Sequence, residues 1–353
     1  MNSKKVLITG GNGFLGQHLV PYLLDKGGVS LVIFDKLDSQ ERNTRKDVRY
    51  AKGDIRREGD VTRVFQEYGP FDTVYHLASA MPDRSLTDRD TWETNVTGTV
   101  NMISAARKNN VRSFLFTSSN VTYGLVKDLP VTEDTPLRPI EVYGKSKVRA
   151  EEELEKYKNQ INIQIFRCPV ITGVGRLGLQ AILFDFISEN RNVYVLGNGA
   201  NIYQFVDATD VSQALERGSR MKGFDIYTIG GDGAMPLRDL YREVIEFAHS
   251  TSRIVSLPQS PALGMLSFLN ALKISPLGVY QYSMIGQSMY ADTTKIKKKL
   301  GWIPQKTIEE SFIENYIWYT KHKGNFVELG SGISSSNRSV PKMGIFKLLK
   351  MIS

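Results

Sequence analysis

Lys4-Lys-Val-Leu-Ile-Thr9 runs directly into Gly10-Gly-Asn-Gly-Phe-Leu-Gly16, and this junction decides the fold. The first six residues are a short apolar run of the kind that makes a buried parallel strand, and Phe14-Leu15 with Leu19-Val20 begins a helical stripe. Gly10 and Gly13 let the backbone turn tightly and approach a pyrophosphate, while Gly16 lets helix pack on strand. Open amides at the helix N-terminus hold phosphate charge. The spacing is G-x-x-G-x-x-G, not the G-x-G-x-x-G of the dehydrogenase fingerprint. A second apolar strand, Leu31-Val-Ile-Phe-Asp35, ends in an acid about twenty residues after the glycines, where a carboxylate accepts from both ribose hydroxyls. That carboxylate repels a 2′-phosphate and so favours NAD; Lys36 beside it keeps NADP open. Asp54, in Gly53-Asp-Ile55, follows a third short run and is a candidate to face the adenine amine.

The second informative stretch is Tyr143-Gly-Lys-Ser-Lys147. Residues four apart share a helix face, so the phenol and the ammonium point the same way. A free tyrosine titrates near 10, and action as a base near neutrality needs about 4 kcal/mol of help. A neighbouring lysine and a bound cationic nicotinamide supply it by favouring the phenolate. Alone the pair is common on solvated helix faces; with a dinucleotide turn upstream it reads as chemistry.

Between residue 4 and about 171 apolar strands alternate with amphipathic helices, which predicts a parallel sheet with helices on both faces. Strands are expected over 4–9, 30–34, 47–51, 72–77, 112–118 and 162–167, and helices over 14–26, 60–68, 92–109 and 143–159. The expected division is a dinucleotide-binding domain over 1–171, a substrate-binding region over 172–330, and a linker with a basic tail over 331–353.

These motifs together resemble the extended short-chain dehydrogenase/reductase family, in particular its NAD-dependent sugar epimerase/dehydratase branch. The likeness spans roughly residues 4 to 325. It includes His76-Leu-Ala-Ser-Ala80, Asn95-Val-Thr-Gly-Thr-Val-Asn101, Thr117-Ser-Ser-Asn-Val-Thr-Tyr-Gly124, Arg167-Cys-Pro-Val-Ile-Thr-Gly173 and Leu300-Gly-Trp-Ile-Pro304. The resemblance implies a Rossmann-type doubly wound sheet and a smaller, interleaved substrate region whose chain returns to the main sheet near 202–206 and 225–229. It implies Ser119, Tyr143 and Lys147 as the catalytic group: Ser119 bonding the reacting oxygen, Tyr143 taking its proton, Lys147 holding the nicotinamide ribose. To the cofactor contacts Gly10, Gly13, Gly16, Asp35 and Asp54 it adds Phe14, Leu15, Ile55, Leu77, Ala78, Ser79, Asn95 and Pro169. His76 is expected to be structural, buried beside the cofactor. Helices 92–109 and 143–159 are those that pair in the family's homodimer.

Substrate clues follow from the same comparison. Dehydratases of the family place Asp-Glu after the serine position, and decarboxylases a glutamate; this chain has Asn120-Val121, which favours C4 epimerisation of an activated, nucleotide- or lipid-linked sugar through a keto intermediate. The asparagine and arginine that usually hold the substrate diphosphate are replaced by Val170 and Tyr203, with Arg176 or Arg191 as candidate substitutes. Two other readings stay open. A membrane-associated hydroxysteroid-type or other hydroxyl dehydrogenase would use the same triad, and a non-catalytic NAD-sensing protein would share the fold.

Composition narrows the field. Of 353 residues 41% are hydrophobic, which fits a soluble globular protein of about two domains. A lone cysteine, Cys168, makes no intrachain disulfide and fits a reducing cytoplasm, and no signal peptide precedes the first strand. Four histidines without ligand spacing argue against a metal enzyme. The net charge of +8 comes without an aromatic-interleaved basic patch, which argues against nucleic acid. Residues 331–353 hold Arg338, Lys342, Lys347 and Lys350 and no acid. There Ile345, Leu348, Leu349 and Ile352 make an amphipathic stripe that suits peripheral contact with an anionic membrane surface.

Overall fold

The computed structural model describes residues 3–37, 47–81, 86–264 and 286–323. The basic tail lies outside the described residues. In chain order the elements are β1 (Lys4–Thr9), α1 (Phe14–Lys26), β2 (Val29–Asp35), β3 (Val48–Lys52), α2 (Glu58–Tyr68), β4 (Thr73–His76), α3 (Asp88–Trp92), a π turn (Glu93–Thr97), α4 (Gly98–Lys108) and β5 (Ser113–Ser119). A 3-10 turn (Asn120–Tyr123) leads to α5 (Val142–Glu155), β6 (Asn162–Cys168), β7 (Val170–Thr172), α6 (Leu179–Ser188), β8 (Val193–Leu196), β9 (Phe205–Asp207) and α7 (Ala208–Gly218). The last are β10 (Phe224–Thr228), α8 (Leu237–Phe247), β11 (Ile254–Leu257), α9 (Thr294–Leu300) and α10 (Ile308–His322).

Seven strands form one parallel sheet in the order β3-β2-β1-β4-β5-β6-β10. Side chains alternate across each strand, so every strand needs cover on both sides. Val6 and Ile8 of β1 pack with α1, α7 and α9, whereas Leu7 packs on the opposite face with α2, α4 and α5. That is a doubly wound α/β sheet. The chain winds outward from β1 in one direction and from β4 in the other, leaving a crevice above their carboxyl ends where ligands of such folds bind.

Two expectations are corrected. The segment near 202–206 does not rejoin the main sheet: β9 pairs with β7 in a separate two-stranded ladder, Val170 opposite Phe205. β10 does join, at the edge beside β6. The helix expected over 92–109 starts earlier, at Asp88, because Thr87 and Asp90 form a capping box, and it carries the π turn before α4. Beyond Gly173 the chain keeps alternating, in strands of three to five residues, too short for periodicity to reveal. A third apolar cluster gathers α6, α8 and α10 around Tyr203, Phe205 and Met289. Helix α10 ties this part to the β7–β9 ladder and the start of α7: Ser311 donates to the buried Asp207 carboxylate at 2.6 Å. Trp302, fully buried, donates its indole N–H to the Asp210 carbonyl at 2.9 Å.

Candidate active site

The turn after β1 is built for close approach. Gly10 has φ +68°, and a Cβ there would lie 2.7 Å from the Ala78 backbone, so this turn and the loop after β4 touch at the crevice. At Gly16 a Cβ would meet the Gly11 carbonyl oxygen at 2.2 Å, which explains why helix α1 can begin directly against the turn. Gly13 is the N-cap; no side chain caps the helix and no acid occupies its first turn. The positive end of α1 is therefore left for a ligand's anion. Asp35, at the end of β2, accepts from the amides of Asn12 and Leu37, both at 3.0 Å. A carboxylate offers about four acceptor sites, so this one is fixed in place with capacity left for a diol. These features fit a dinucleotide.

Asp54 is differently engaged. Its carboxylate accepts from Arg56 Nε at 2.9 Å, Nη2 at 2.7 Å and the Arg56 amide at 3.0 Å, and Arg56 also reaches Asp90 at 3.2 Å. Burial pushes its pKa up, but the Arg56 bonds outweigh it and hold the acid below its usual range. Ile55 is buried against Gly98, and its carbonyl accepts from Asn101 at 2.9 Å.

The opposite wall comes from β4, β5, the π turn and α5. Glu141 caps α5, accepting from the amides of Tyr143 and Gly144 at 2.7 Å each, and so fixes the start of the helix that carries the pair. Tyr143 is 9% and Lys147 2% exposed. Burial raises the phenol's pKa, and the nearby hydroxyls of Ser79 and Ser119 act against that shift, so three of the residues expected here gather at one point. Ser119 lies at the end of β5 and caps the following turn through Val121. Asn95, presented by the π turn, accepts from Ser79 Oγ at 3.0 Å and the Ala80 amide at 2.8 Å, and donates to the Ala80 carbonyl and Ser146 Oγ. It pins the β4 loop to α5. Leu77 donates its amide to the Thr9 carbonyl, tying the same loop to β1. Pro169 stands at the junction of β6 and β7.

Lys147 Nζ donates to the Thr117 carbonyl at 3.0 Å and lies 4.7 Å from the Phe116 ring centroid and 5.8 Å from that of Tyr143. Burial dominates both groups in the protein alone: it pushes the phenol up to about 12 and the ammonium down to about 8. His76 is fully buried between Thr9 Oγ1 (2.7 Å) and Thr99 Oγ1 (3.0 Å). Burial, then the Lys147 charge, lowers its pKa to about 3, so it is a neutral structural ring.

Sequence reasoning missed a buried ion pair behind this wall. Arg167 binds Glu151 at 2.7 Å, both nearly inaccessible, and Ser118 donates to the same carboxylate at 2.5 Å. Glu151 continues the Tyr143–Lys147 stripe by another four residues, which was the available signal. The two diphosphate positions carry neither an amide nor a guanidinium: Val170 and Tyr203 pack in the cluster with Phe205 and Met289. Of the candidate substitutes, Arg191 is exposed on the turn between α6 and β8, while Arg176 lies over the Phe14 ring at 5.1 Å.

Comparison with known proteins agrees with this geometry. The family model for "NAD dependent epimerase/dehydratase family" matches residues 6–230. An uncharacterized protein of Sinorhizobium fredii is 33% identical over 348 residues, covering 98% of this chain and 85% of that protein. A UDP-glucose 4-epimerase of Lactobacillus helveticus is 25% identical, covering 90% and 98%, and a human dTDP-D-glucose 4,6-dehydratase is 26% identical, covering 92% of each. The crystal structure of UDP-glucose 4-epimerase from Thermotoga maritima shares the fold, with TM-score 0.74 and 24% identity over 90% of this chain and 99% of that one. With the glycine cradle, the fixed Asp35 and the Ser119–Tyr143–Lys147 wall in one crevice, the chain belongs to the NAD-dependent epimerase/dehydratase family and is an NAD-dependent enzyme of the short-chain dehydrogenase/reductase type.

Proposed function

We propose that this enzyme interconverts the C4 epimers of a nucleotide-linked sugar. The observation that carries the reading is the composition of the catalytic wall. Ser119 and Tyr143 meet at the crevice, while the two positions after the serine hold Asn120 and Val121, both buried. Neither can donate and retrieve a proton, so water loss lacks its acid and base.

NAD, when bound, supplies reversible hydride chemistry and a positive charge. Gly10, Gly13 and the α1 amides would hold its pyrophosphate, and Asp35 a ribose diol. Tyr143 removes the proton from the sugar hydroxyl, Ser119 bonds that oxygen and keeps it in line, and Tyr143 returns the proton when the alcohol re-forms on the other face. Lys147 orders the phenol's surroundings from the Thr117 carbonyl. Of the region after residue 172, α6 and α10 would cover the sugar.

Tyr143→Phe should lower turnover by about a thousandfold, the usual scale of a positioned acid–base group, while NAD still binds. Full activity in that variant would remove Tyr143 from the chemistry. The lack of an amide or guanidinium at Val170 and Tyr203 favours a second reading, a hydroxyl dehydrogenase, which net NADH release on turnover would reveal. We include a homodimer through α4 and α5 in the proposal; α3, which leads into α4, leaves Trp92 40% exposed. A monomer mass by light scattering at micromolar concentration would count against it.

A further inference from the structure

We propose that Arg176 is the anion-binding residue of the substrate cleft, taking an oxyanion of the substrate, either a carboxylate on the sugar ring or a phosphate of its carrier; this rests on the sugar-substrate reading above. Three observations lead there. First, the guanidinium is a half-buried cation with no hydrogen bond or ion pair to a side chain among the described residues; its contact is the face of Phe14. Burial lowers its pKa to about 10, and the Tyr143 phenol, rather than any carboxylate, is the group that acts against that shift. A desolvated cation without a counterion is costly, and an arriving anion relieves the cost.

Second, its backbone is held in advance. Asn315 of α10, fully buried, accepts from the Gly175 amide at 3.1 Å and donates to the Arg176 carbonyl at 2.9 Å. The Arg176 amide donates to the Gly173 carbonyl at 3.0 Å. A binding group clamped by a buried amide loses little freedom when ligand arrives. Third, Val170 and Tyr203 pack with Phe205 and Met289 and bring neither an amide nor a guanidinium, which leaves an anionic substrate fewer cationic partners. Phe14, under the guanidinium, opens α1 directly after the glycine turn, so Arg176 stands at the mouth of the same crevice, and the α1 amides would be taken by the cofactor's pyrophosphate. Its planar fork suits either oxyanion bidentately.

The test uses the full chain with NAD and calorimetric titration of UDP, UDP-glucose and UDP-glucuronate against wild type and Arg176→Ala, with thermal melts as the folding control. Arg176→Ala should weaken at least one probe by about thirtyfold or more with NAD affinity unchanged. Equal loss for all three identifies the phosphate; loss confined to UDP-glucuronate identifies the ring carboxylate. Unchanged affinity for every probe, or loss of NAD affinity instead, overturns the proposal. Wild-type protein that binds none of the three sinks the nucleotide-sugar reading alone. Modification by phenylglyoxal with peptide mass spectrometry then decides on Arg176: protection by pyrophosphate or D-glucuronate sustains the assignment, and protection by neither, with exposed Arg49 as the reference, ends it.

Discussion

Tyr143 and Lys147 show how far a single pair of side chains can be displaced from solution behaviour. Both are buried, and each is pushed toward its neutral form, the phenol to about 12 and the ammonium to about 8. The lysine has a consequence for stability. An unfolded lysine titrates near 10.4, so between pH 8 and that value the unfolded chain binds more protons than the native one, and stability rises with pH. The cost of burying the charged lysine is complete below pH 8 and is relieved as pH climbs through it. Cys168, raised by burial to about 12, opposes this as pH passes about 8.5, where unfolded thiols ionise. The lysine's slope is therefore least opposed between about pH 7.5 and 8.5. Across that range, Lys147→Met should lose the upward slope that wild type shows in urea midpoints; equal slopes in the two proteins would mean that Lys147 is not the titrating group. The identities of the pair were legible in the sequence at their four-residue spacing. Their ionisation was not, because burial depends on Thr117, Phe116 and Ser79, which come from other strands and loops.

At the level of elements, β1, the glycine turn and α1 form the unit that local sequence specifies most completely. Strand, turn and helix stop and start where the apolar pattern says they do, because each signal lies within a few residues of the structure it sets. Gly16 is the tightest point. A methyl group there would sit 2.2 Å from a backbone oxygen that cannot move without opening the turn. Gly16→Ala should destabilise the fold by about 1–3 kcal/mol, the usual cost of overpacking, and should abolish NAD binding. A variant that binds NAD normally would show that helix and turn need no such contact. Less legible were the elements whose identity is set by distant partners. β7 and β9 are three residues each and exist because they pair with one another, 35 residues apart in register. The π turn at 93–97 follows no periodicity; its role is visible only when Asn95 is seen bridging the Ala80 backbone and Ser146. The Glu151–Arg167 pair likewise joins α5 to β6, and only the helical half of it lay in a readable pattern.

Taken as a whole, the molecule sets one crevice at the switch between β1 and β4, with the cofactor cradle on one side and the proton-handling wall on the other. Helices α6 and α10 are linked by Asn315, which bonds both the Gly175–Arg176 backbone and Gln180. Such an arrangement allows one tyrosine to serve both directions of a reversible oxidation, provided that the hydride leaves and returns to the same carbon. Dehydratases and dehydrogenases sharing the fold leave a different record in the product. The direct measurement is turnover of a nucleotide-linked hexose deuterated at C4, with unlabelled NAD, followed by proton NMR and absorbance at 340 nm. The account predicts the C4 epimer with deuterium retained at C4 and no net NADH. Loss of that deuterium to the cofactor with accumulating NADH, or a dehydrated product in place of the epimer, would contradict it.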